Sequence, residues 1–197
     1  MTDYTIEAKA YLDTLCEVIS RLDVDAIDNV VNAIIGAYDN ESTIYIFGNG
    51  GSAATASHIV CDFNKGASIH LDRKFRFICL NDNIPTMMAI ANDCGYEHIF
   101  SMQLEGKLKT DDLIIAISGS GNSRNVIEAV EYAKGIGCKV IGLTGYSGGK
   151  LRELCDYSIH ADIEDMQKTE EVHMIVNHLI AQVIAQVIAR RLGHPLC

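Results

Sequence analysis

The stretch LIIAISGSGNS, residues 113–123, decides the fold of this chain. Its first five residues are apolar and rich in isoleucine, which predicts a buried β-strand over 113–117. Glycines and serines then break the strand, and apolar residues return at helical spacing between Ser123 and Lys134. A buried strand that passes through a tight glycine turn into a helix is the repeating unit of a parallel α/β sheet.

The same order of strand, glycine turn and helix occurs elsewhere in the chain. Residues 43–47 form a β-branched and aromatic run that stops at Gly48, and a helical pattern follows from Ser52 to about Asn64. Together these elements predict a mostly parallel sheet with helices on both faces and any ligand beyond the carboxyl ends of its strands. The pattern predicts further strands over 75–80, 139–143 and 157–161, and helices over 86–92, 97–108 and near Leu151.

Helices are predicted at both ends of the chain. Apolar residues at helical spacing indicate two N-terminal helices between Glu7 and Tyr38, joined near Asp23 to Asp25. A single long helix is predicted over 165–192. Its apolar stripe is wide for a helix that lies on one sheet, so part of it is expected to pack against another subunit. The alternative is a deeply buried core helix.

Composition limits the class of protein. The 197 residues (21.5 kDa) are 48% hydrophobic and 21% charged, with a mean hydropathy of +0.12. These values are typical of one globular domain and exclude a disordered, collagen-like or low-complexity chain. The formal net charge of -10, with no cluster of Lys or Arg, disfavours nucleic acid as a partner because the phosphate backbone is repelled.

Seven cysteines without any CxxC pair indicate reduced, buried thiols in a reducing compartment. The N-terminus has no basic region followed by an apolar run, so no signal peptide is expected. No apolar stretch is expected to reach the ~20 residues that span a bilayer. These observations together predict a cytoplasmic protein without a membrane partner.

Two strand-to-helix loops are candidates for ligand binding. In the first, Gly48-Asn49-Gly50-Gly51-Ser52, glycines let the backbone approach a ligand, and the following helix offers free N–H groups to an anion. This loop lacks the lysine of a P-loop and the full GxGxxG spacing. A tight turn without a ligand therefore remains the alternative for it.

The second loop, residues 117–123, is richer in polar groups. Ser118, Ser120 and Ser123 supply three hydroxyls beside free N–H groups, and such a set can hold a phosphate monoester without a fixed cation. Helix capping by one serine is the alternative, but it does not account for three of them.

Histidines and carboxylates on two helices are the candidates for chemistry. His58 and Asp62 are four residues apart on the helix after the first loop, so they share a face and can ligate a metal ion or move a proton together. Glu170, Glu171 and His178 lie on the last helix. A surface ion pair for His58 and Asp62, and a hydrogen-bonded core histidine for His178, are the alternatives.

Four segments give the chain a family resemblance: GNGGSAATASH at 48–58, Asn92-Asp93, ISGSGNS at 117–123 and EEVHMIVNH at 170–178. Over nearly its whole length the chain resembles the SIS (sugar isomerase) domain family and, more narrowly, the phosphoheptose isomerases. The resemblance implies a five-stranded flavodoxin-like parallel sheet in a single domain over 1–197. It also implies a homotetramer with sites between subunits, in which the helical pair at 1–40 packs.

The resemblance also implies a zinc and substrate site made by His58, Asp62, Glu170 and His178. Asp62 stands where the family usually has Glu, and Glu170 where it usually has Gln. Asp62 and His178 are the expected catalytic residues, and no nucleotide cofactor is needed because hydrogen moves within one molecule. The expected substrate-binding residues are Asn49, Gly50, Gly51, Ser52, Asp62, Asn92, Asp93, Ser118, Gly119, Ser120, Ser123 and Glu170.

The function implied by the resemblance is ketose–aldose isomerisation of a phosphorylated sugar through an enediol. The expected reaction converts sedoheptulose 7-phosphate to D-glycero-D-manno-heptose 7-phosphate for lipopolysaccharide or capsule synthesis. One alternative is a non-catalytic SIS protein that binds phosphosugars for regulation or assembly. The other is an isomerase of a different sugar phosphate, which the Asp62 and Glu170 replacements would suit.

Overall fold

Five parallel strands form one sheet in the computed structural model, which describes residues 2–193. Their order across the sheet is β2-β1-β3-β4-β5, the flavodoxin-like order, as expected. The order in which the strands follow one another reverses between β1 and β3. In such folds a ligand binds at this point, beyond the carboxyl ends of the two strands. The strands are β1 (Ile44–Gly48), β2 (Phe77–Cys79), β3 (Leu113–Ser118), β4 (Lys139–Thr144) and β5 (Tyr157–His160).

The register between β1 and β3 places the two glycine-rich loops side by side. Gly48, the last residue of β1, pairs with Ile117, so both strands end at the same level. Every residue of the two strands is buried. A buried, fully paired strand pair is a rigid base, so the loops that leave it begin from fixed positions.

Within residues 2–193, eight α-helices surround the sheet. A π-helix over Asp62–Ala67 directly continues α3, and a 3-10 helix over Tyr96–His98 precedes α5. The α-helices are α1 (Thr5–Ser20), α2 (Val24–Asp39), α3 (Gly51–Cys61), α4 (Ile84–Asp93), α5 (Ser101–Leu104), α6 (Arg124–Ile136), α7 (Gly149–Leu154) and α8 (Met166–Leu192).

Two expected elements are wrong in extent. The helix predicted over 97–108 is only the 3-10 turn and the four-residue α5, and the strand predicted over 75–80 shrinks to three residues. Phe100 and Leu104 are fully buried, and the Phe100 ring stacks on Phe47 at 4.9 Å between centroids. The apolar residues of 97–108 therefore report core contacts of a compact loop rather than one face of a continuous helix.

Two apolar cores lie on opposite faces of the sheet. One contains Ile34, Ile46 and Val176, which join α2, β1 and α8. The other contains Phe47 and Val130, which join β1 and α6. Alternate residues of β1 thus point into different cores, which confirms the prediction of helices on both faces.

Helix α8 overturns the expectation that no apolar segment is long enough to span a bilayer. The helix is 27 residues long, and its most apolar 18 residues have a mean hydropathy of 1.6, so by length and composition alone it could cross a membrane, although 39% of those 18 residues are buried inside the protein. A core helix passes the same test, so one such helix is weak evidence for a membrane segment. Ile180, Ile184 and Ile188 face the core, whereas Leu179 and Val183 are 42% and 38% exposed, which explains the wide stripe.

The cysteines are only partly buried, contrary to expectation. All six cysteines that the structure describes are free thiols. The seventh, Cys197, lies outside the described residues. Cys79 and Cys138 are buried, and burial raises the pKa of Cys138 to about 11, so this thiol stays protonated. The exposed thiols are Cys16, Cys61 and Cys94.

Candidate active site

The serine loop, residues 118–123, leaves β3 and enters α6. Ser118 Oγ donates to Ser123 Oγ at 3.2 Å, and Ser120 Oγ accepts from the Asn122 N–H at 3.2 Å. Ser123 is the N-cap residue of α6, yet its side chain makes no capping hydrogen bond. Side-chain capping therefore does not account for Ser123, and its hydroxyl lies with that of Ser118 at the positive end of a 13-residue helix.

Glycines in the serine loop allow close contact with neighbouring segments. A Cβ on Gly119 would lie 2.7 Å from Met166 Sδ at the start of α8. A Cβ on Gly121 would lie 1.8 Å from the Gly148 carbonyl oxygen, and Gly121 has a φ of +67°. The loop is thus held by close packing and by hydrogen bonds of its own, in which the Gly121 N–H donates to the Ser118 carbonyl oxygen at 2.9 Å and the Asn122 N–H donates to Ser120 Oγ.

Replacing Gly121 with alanine should destabilise the fold strongly. The Cβ meets backbone rather than a movable side chain, and the positive φ adds strain, so we expect a loss of about 3 kcal/mol in unfolding free energy. Gly135→Ala is the matched control, since a Cβ there meets nothing within 4 Å and should add about 0.5–1 kcal/mol of stability. Chemical denaturation measures both, and equal effects would contradict the packing described for this loop.

The first loop, residues 48–52, already has an anion at its helix. A Cβ on Gly51 would lie 2.2 Å from Glu170 Oε2, so glycine leaves the room that the Glu170 carboxylate occupies. Gly51 is the first residue of α3, where a negative charge is stabilised by the helix dipole. The structure therefore places a carboxylate of α8, and not free space, at the position where sequence predicted an anion.

The other expected sugar contacts lie around the first loop and on α4. Asn49 is partly buried, Ser52 is buried and Gly50 is exposed with a φ of +55°. Asn92 and Asp93 are exposed at the end of α4, where Asn92 Nδ2 donates to Asp93 Oδ1 at 2.7 Å. These residues remain predicted ligand contacts.

His58, Asp62 and His178 form one cluster between α3 and α8. The Nε2 atoms of the two histidines are 3.0 Å apart, and Asp62 Oδ2 lies 3.2 Å from His58 Nε2 and 3.7 Å from His178 Nε2. About half of each imidazole side chain is exposed, so the cluster is open to a ligand. The four-residue spacing of His58 and Asp62 does put them on one face, as predicted.

The chemistry of this cluster fits a divalent cation. Two ring nitrogens that face each other at 3.0 Å need a proton or a cation between them, and a carboxylate oxygen completes the set. Among the described residues these three side chains offer ligand atoms that all lie within 4.8 Å of one another. Two histidines and one carboxylate, with a position left open, form a ligand set typical of catalytic zinc.

Glu170 is not part of this cluster. Its carboxylate lies against Gly51, about two turns before His178 on α8, because eight residues correspond to about 12 Å of helix rise. Glu171 points elsewhere and hydrogen-bonds Tyr11 of α1, which helps to raise the pKa of that phenol after the larger effect of burial. Glu170, and not Glu171, is therefore the carboxylate that faces the first loop.

Two features around Asp62 were missed in the sequence. Asn177 Nδ2 donates to Asp62 Oδ2 at 2.7 Å, and Asn177 is buried. Asp62 begins the π-helix, whose Asn64 side chain bonds both the N–H and the C=O of Phe77 in β2. Single π-turns are frequent at functional sites, but no simple residue pattern announces them.

His173 anchors α8 to the sheet. It is fully buried, and its Nε2–H donates to the Thr144 carbonyl oxygen at 3.1 Å. Burial lowers the pKa of His173 to about 4, an effect that outweighs this hydrogen bond. His173 is therefore neutral at pH 7.

The depressed pKa of His173 predicts acid sensitivity. The unfolded chain takes up this proton near pH 6.5 and the folded chain only near pH 4, so the stability contribution is full above 6.5 and is lost between those values. We expect the native protein to lose about 3 kcal/mol relative to His173→Gln between pH 7 and pH 4. Denaturant titrations at each pH measure this difference, and a constant difference would contradict the assignment.

The fold and the site together define a class of protein. It is an α/β protein with flavodoxin-like strand order, a hydroxyl-lined loop suited to a phosphate ester, and a His–Asp–His cluster suited to proton transfer or metal binding. The family model for the SIS domain matches residues 9–145. The chain belongs to the SIS domain family and, within it, to the phosphoheptose isomerases.

The comparisons with known proteins carry that assignment. The chain is 36% identical over 179 residues to the probable phosphoheptose isomerase of Thermoplasma acidophilum, covering 91% of this chain and 98% of the relative. It is 39% identical over 165 residues to the phosphoheptose isomerase of Aneurinibacillus thermoaerophilus, covering 83% and 82%. The solved phosphoheptose isomerase of Neisseria gonorrhoeae superposes with a TM-score of 0.86 at 26% identity, covering 93% and 100%.

Proposed function

We propose that this protein is an aldose–ketose isomerase that converts sedoheptulose 7-phosphate to D-glycero-D-manno-heptose 7-phosphate. The observation that carries the proposal is the meeting of His58, Asp62 and His178 on two helices that both start beside the glycine-rich loops. The relatives named phosphoheptose isomerase support the same reaction. A protein that only binds phosphosugars has no need of such an acid–base set, so the non-catalytic alternative is not favoured.

The phosphate end of the substrate binds at the serine loop. Ser118, Ser120 and Ser123 offer hydroxyls there, and the start of α6 offers N–H groups and a positive dipole. The first loop suits the phosphate less well, because the Glu170 carboxylate at the start of α3 would repel it. Glu170 instead suits the hydroxyls of the sugar, because its carboxylate accepts hydrogen bonds from them and donates none.

The proton transfers occur at the other end of the site. Asp62 removes a proton from C1 of the ketose, and the C1–H electrons form the enediol as the C2 carbonyl oxygen gains a proton. Asp62 returns a proton to C2 while O1 loses its proton, so atoms and charge balance. His178 carries the proton between O1 and O2. The hydrogen bond from Asn177 Nδ2 to Asp62 Oδ2 holds the carboxylate in place.

A metal ion would be held by His58, Asp62 and His178, and zinc suits these ligands best. When bound, such an ion polarises the carbonyl and hydroxyl oxygens of the substrate. Glu170 stays a proposed fourth contributor, although its carboxylate lies nearer to Gly51 than to this cluster. No nucleotide cofactor is proposed, because the hydrogen moves within one molecule.

The length of the site favours an extended sugar. The first loop contacts α8 at Glu170 and the serine loop contacts it at Met166, so the cluster at His178 lies about 12 Å and about 18 Å further along the helix, respectively. A phosphate held at the serine loop therefore needs a long carbon chain to bring C1 and C2 near Asp62. This separation suits a heptose phosphate better than a triose phosphate.

The assembly and the setting also belong to the proposal. In this proposal the chain is a single domain that forms a homotetramer with sites between subunits, and a second subunit covers the half-exposed histidines. The helical pair at 1–40 packs in that assembly. The protein acts in the cytoplasm, without nucleic acid or membrane partners, in lipopolysaccharide or capsule synthesis.

Isomerisation in deuterated water tests the proposal. The purified protein is incubated with sedoheptulose 7-phosphate, with and without zinc, and deuterium at C2 of the product is followed by NMR. We expect an aldose labelled at C2, because the proton returned by Asp62 exchanges with solvent. If neither product nor deuterium exchange is seen with or without zinc, sedoheptulose 7-phosphate is excluded as the substrate. A parallel trial with shorter sugar phosphates would show whether another sugar phosphate is used.

A further inference from the structure

The amide of Asn49 is held by two residues that the proposed reaction does not use. Asn49 and Asn125 exchange a pair of hydrogen bonds: Asn49 Nδ2 donates to Asn125 Oδ1 at 2.8 Å, and Asn125 Nδ2 donates to Asn49 Oδ1 at 2.9 Å. The Tyr96 hydroxyl donates to the same Asn49 Oδ1 at 2.9 Å. The carbonyl end of Asn49 therefore accepts two hydrogen bonds from within the protein.

These three side chains come from three different segments. Asn49 belongs to the first loop, Asn125 to the first turn of α6 after the serine loop, and Tyr96 to the 3-10 helix that follows Asn92 and Asp93. Asn125 is only 2% exposed, and its Oδ1 also accepts from the Val126 N–H at 2.9 Å. A buried amide fixed on both ends is a rigid support for the more open Asn49.

We infer that Asn125 and Tyr96 are positioning residues that fix the Asn49 amide so that it offers only a hydrogen-bond donor to the substrate. An asparagine amide has two N–H donors and two acceptor sites on its oxygen. Within the described part of the chain, both acceptor sites and one N–H of Asn49 are used. One N–H remains, and it suits a carbonyl, hydroxyl or phosphate oxygen.

The consequence is a defined polarity on each side of the sugar. Glu170, beside Gly51, only accepts hydrogen bonds from the substrate, whereas the fixed Asn49 only donates to it. A site with one fixed donor and one fixed acceptor rejects ligands that lack the matching groups, because a buried polar group would stay unpaired. This inference rests on the proposed function, which it deepens by assigning the support of one sugar contact.

Tyr96→Phe is the sharpest test because it removes one hydroxyl from a 58% exposed ring and little else. One net hydrogen bond corresponds to about a fivefold change, so we expect KM for sedoheptulose 7-phosphate to rise about fivefold with kcat within about twofold. Tyr4→Phe, on the 67% exposed Tyr4, is the matched control and should leave both constants unchanged. Asn125→Ala should raise KM about 20-fold or more, since it removes two of the bonds.

A double-variant comparison separates positioning from general destabilisation. In an Asn49→Ala background Tyr96→Phe should have no further effect on KM, because the amide that it supports is gone. An equal effect of Tyr96→Phe in both backgrounds would overturn the inference, as would a native KM for Tyr96→Phe. These outcomes do not depend on whether Asn125→Ala folds.

A second readout is independent of turnover. In protein labelled with ¹⁵N at asparagine, the Asn49 side-chain N–H that bonds Asn125 should exchange slowly with deuterated water, and Tyr96→Phe should speed this exchange. If the native protein fails to isomerise sedoheptulose 7-phosphate while this protection is present, the proposed function fails and the positioning role stands. Rapid exchange in the native protein would overturn the positioning role itself.

Discussion

His178→Ala should lower kcat by about 10²–10⁴-fold while sedoheptulose 7-phosphate still binds. The variant removes one of the three members of the His–Asp–His cluster, the one proposed to move protons between the two substrate oxygens. The serine loop, the proposed phosphate site, contacts α8 at Met166, about three turns before His178, and should be undisturbed. Steady-state kinetics and calorimetric titration of the substrate measure the two effects separately.

His98→Ala is the matched control for that variant. His98 is another partly exposed histidine, and it is not a member of the cluster. Its Nδ1 lies 2.9 Å from Glu128 Oε2. His98→Ala should keep a near-native kcat. Its free energy of unfolding should change little, because exposed ion pairs contribute about 0–1 kcal/mol. Full activity of His178→Ala would remove His178 from the mechanism.

Asp62→Asn should abolish the exchange at C2 almost completely, with kcat reduced by about 10³-fold. The amide has the shape of the carboxylate but cannot accept the C1 proton. Asp62→Glu keeps the carboxylate and displaces it by a methylene, and a displacement of this size costs on the order of 10²-fold. Deuterium incorporation by NMR should therefore fall in the order native, Asp62→Glu, Asp62→Asn, and an asparagine variant that exchanges at the native rate would refute the role of Asp62.

The sheet and its loops were predictable because their signals are local. The apolar run at 113–117 and the glycines after it define a strand and a turn within a few residues. Parallel pairing then fixes where β1 and β3 end, and this register brings the two predicted loops side by side. His58 and Asp62 were found for the same reason, since helical spacing determines which face they share.

The contacts between distant segments were not predictable in this way. Glu170 against Gly51, Asn177 on Asp62 and Tyr96 on Asn49 join residues that lie 47 to 119 positions apart, and each depends on how two helices or loops pack. The π-helix at Asp62 also escaped detection, because its residues read as an ordinary helix. The sequence showed which side chains could act, and packing determined which of them meet.

The proposed reaction requires one substrate to span two sites, with its phosphate at the serine loop and its reacting carbons at the His–Asp–His cluster. A crystal structure of the protein with sedoheptulose 7-phosphate bound in the Asp62→Asn variant tests this most directly. We predict phosphate oxygens within hydrogen-bond distance of Ser118, Ser120 and Ser123, and C1 beside residue 62 of the same or an adjoining subunit. A phosphate bound elsewhere, or a sugar whose C1 and C2 lie away from residue 62 and His178, would contradict it.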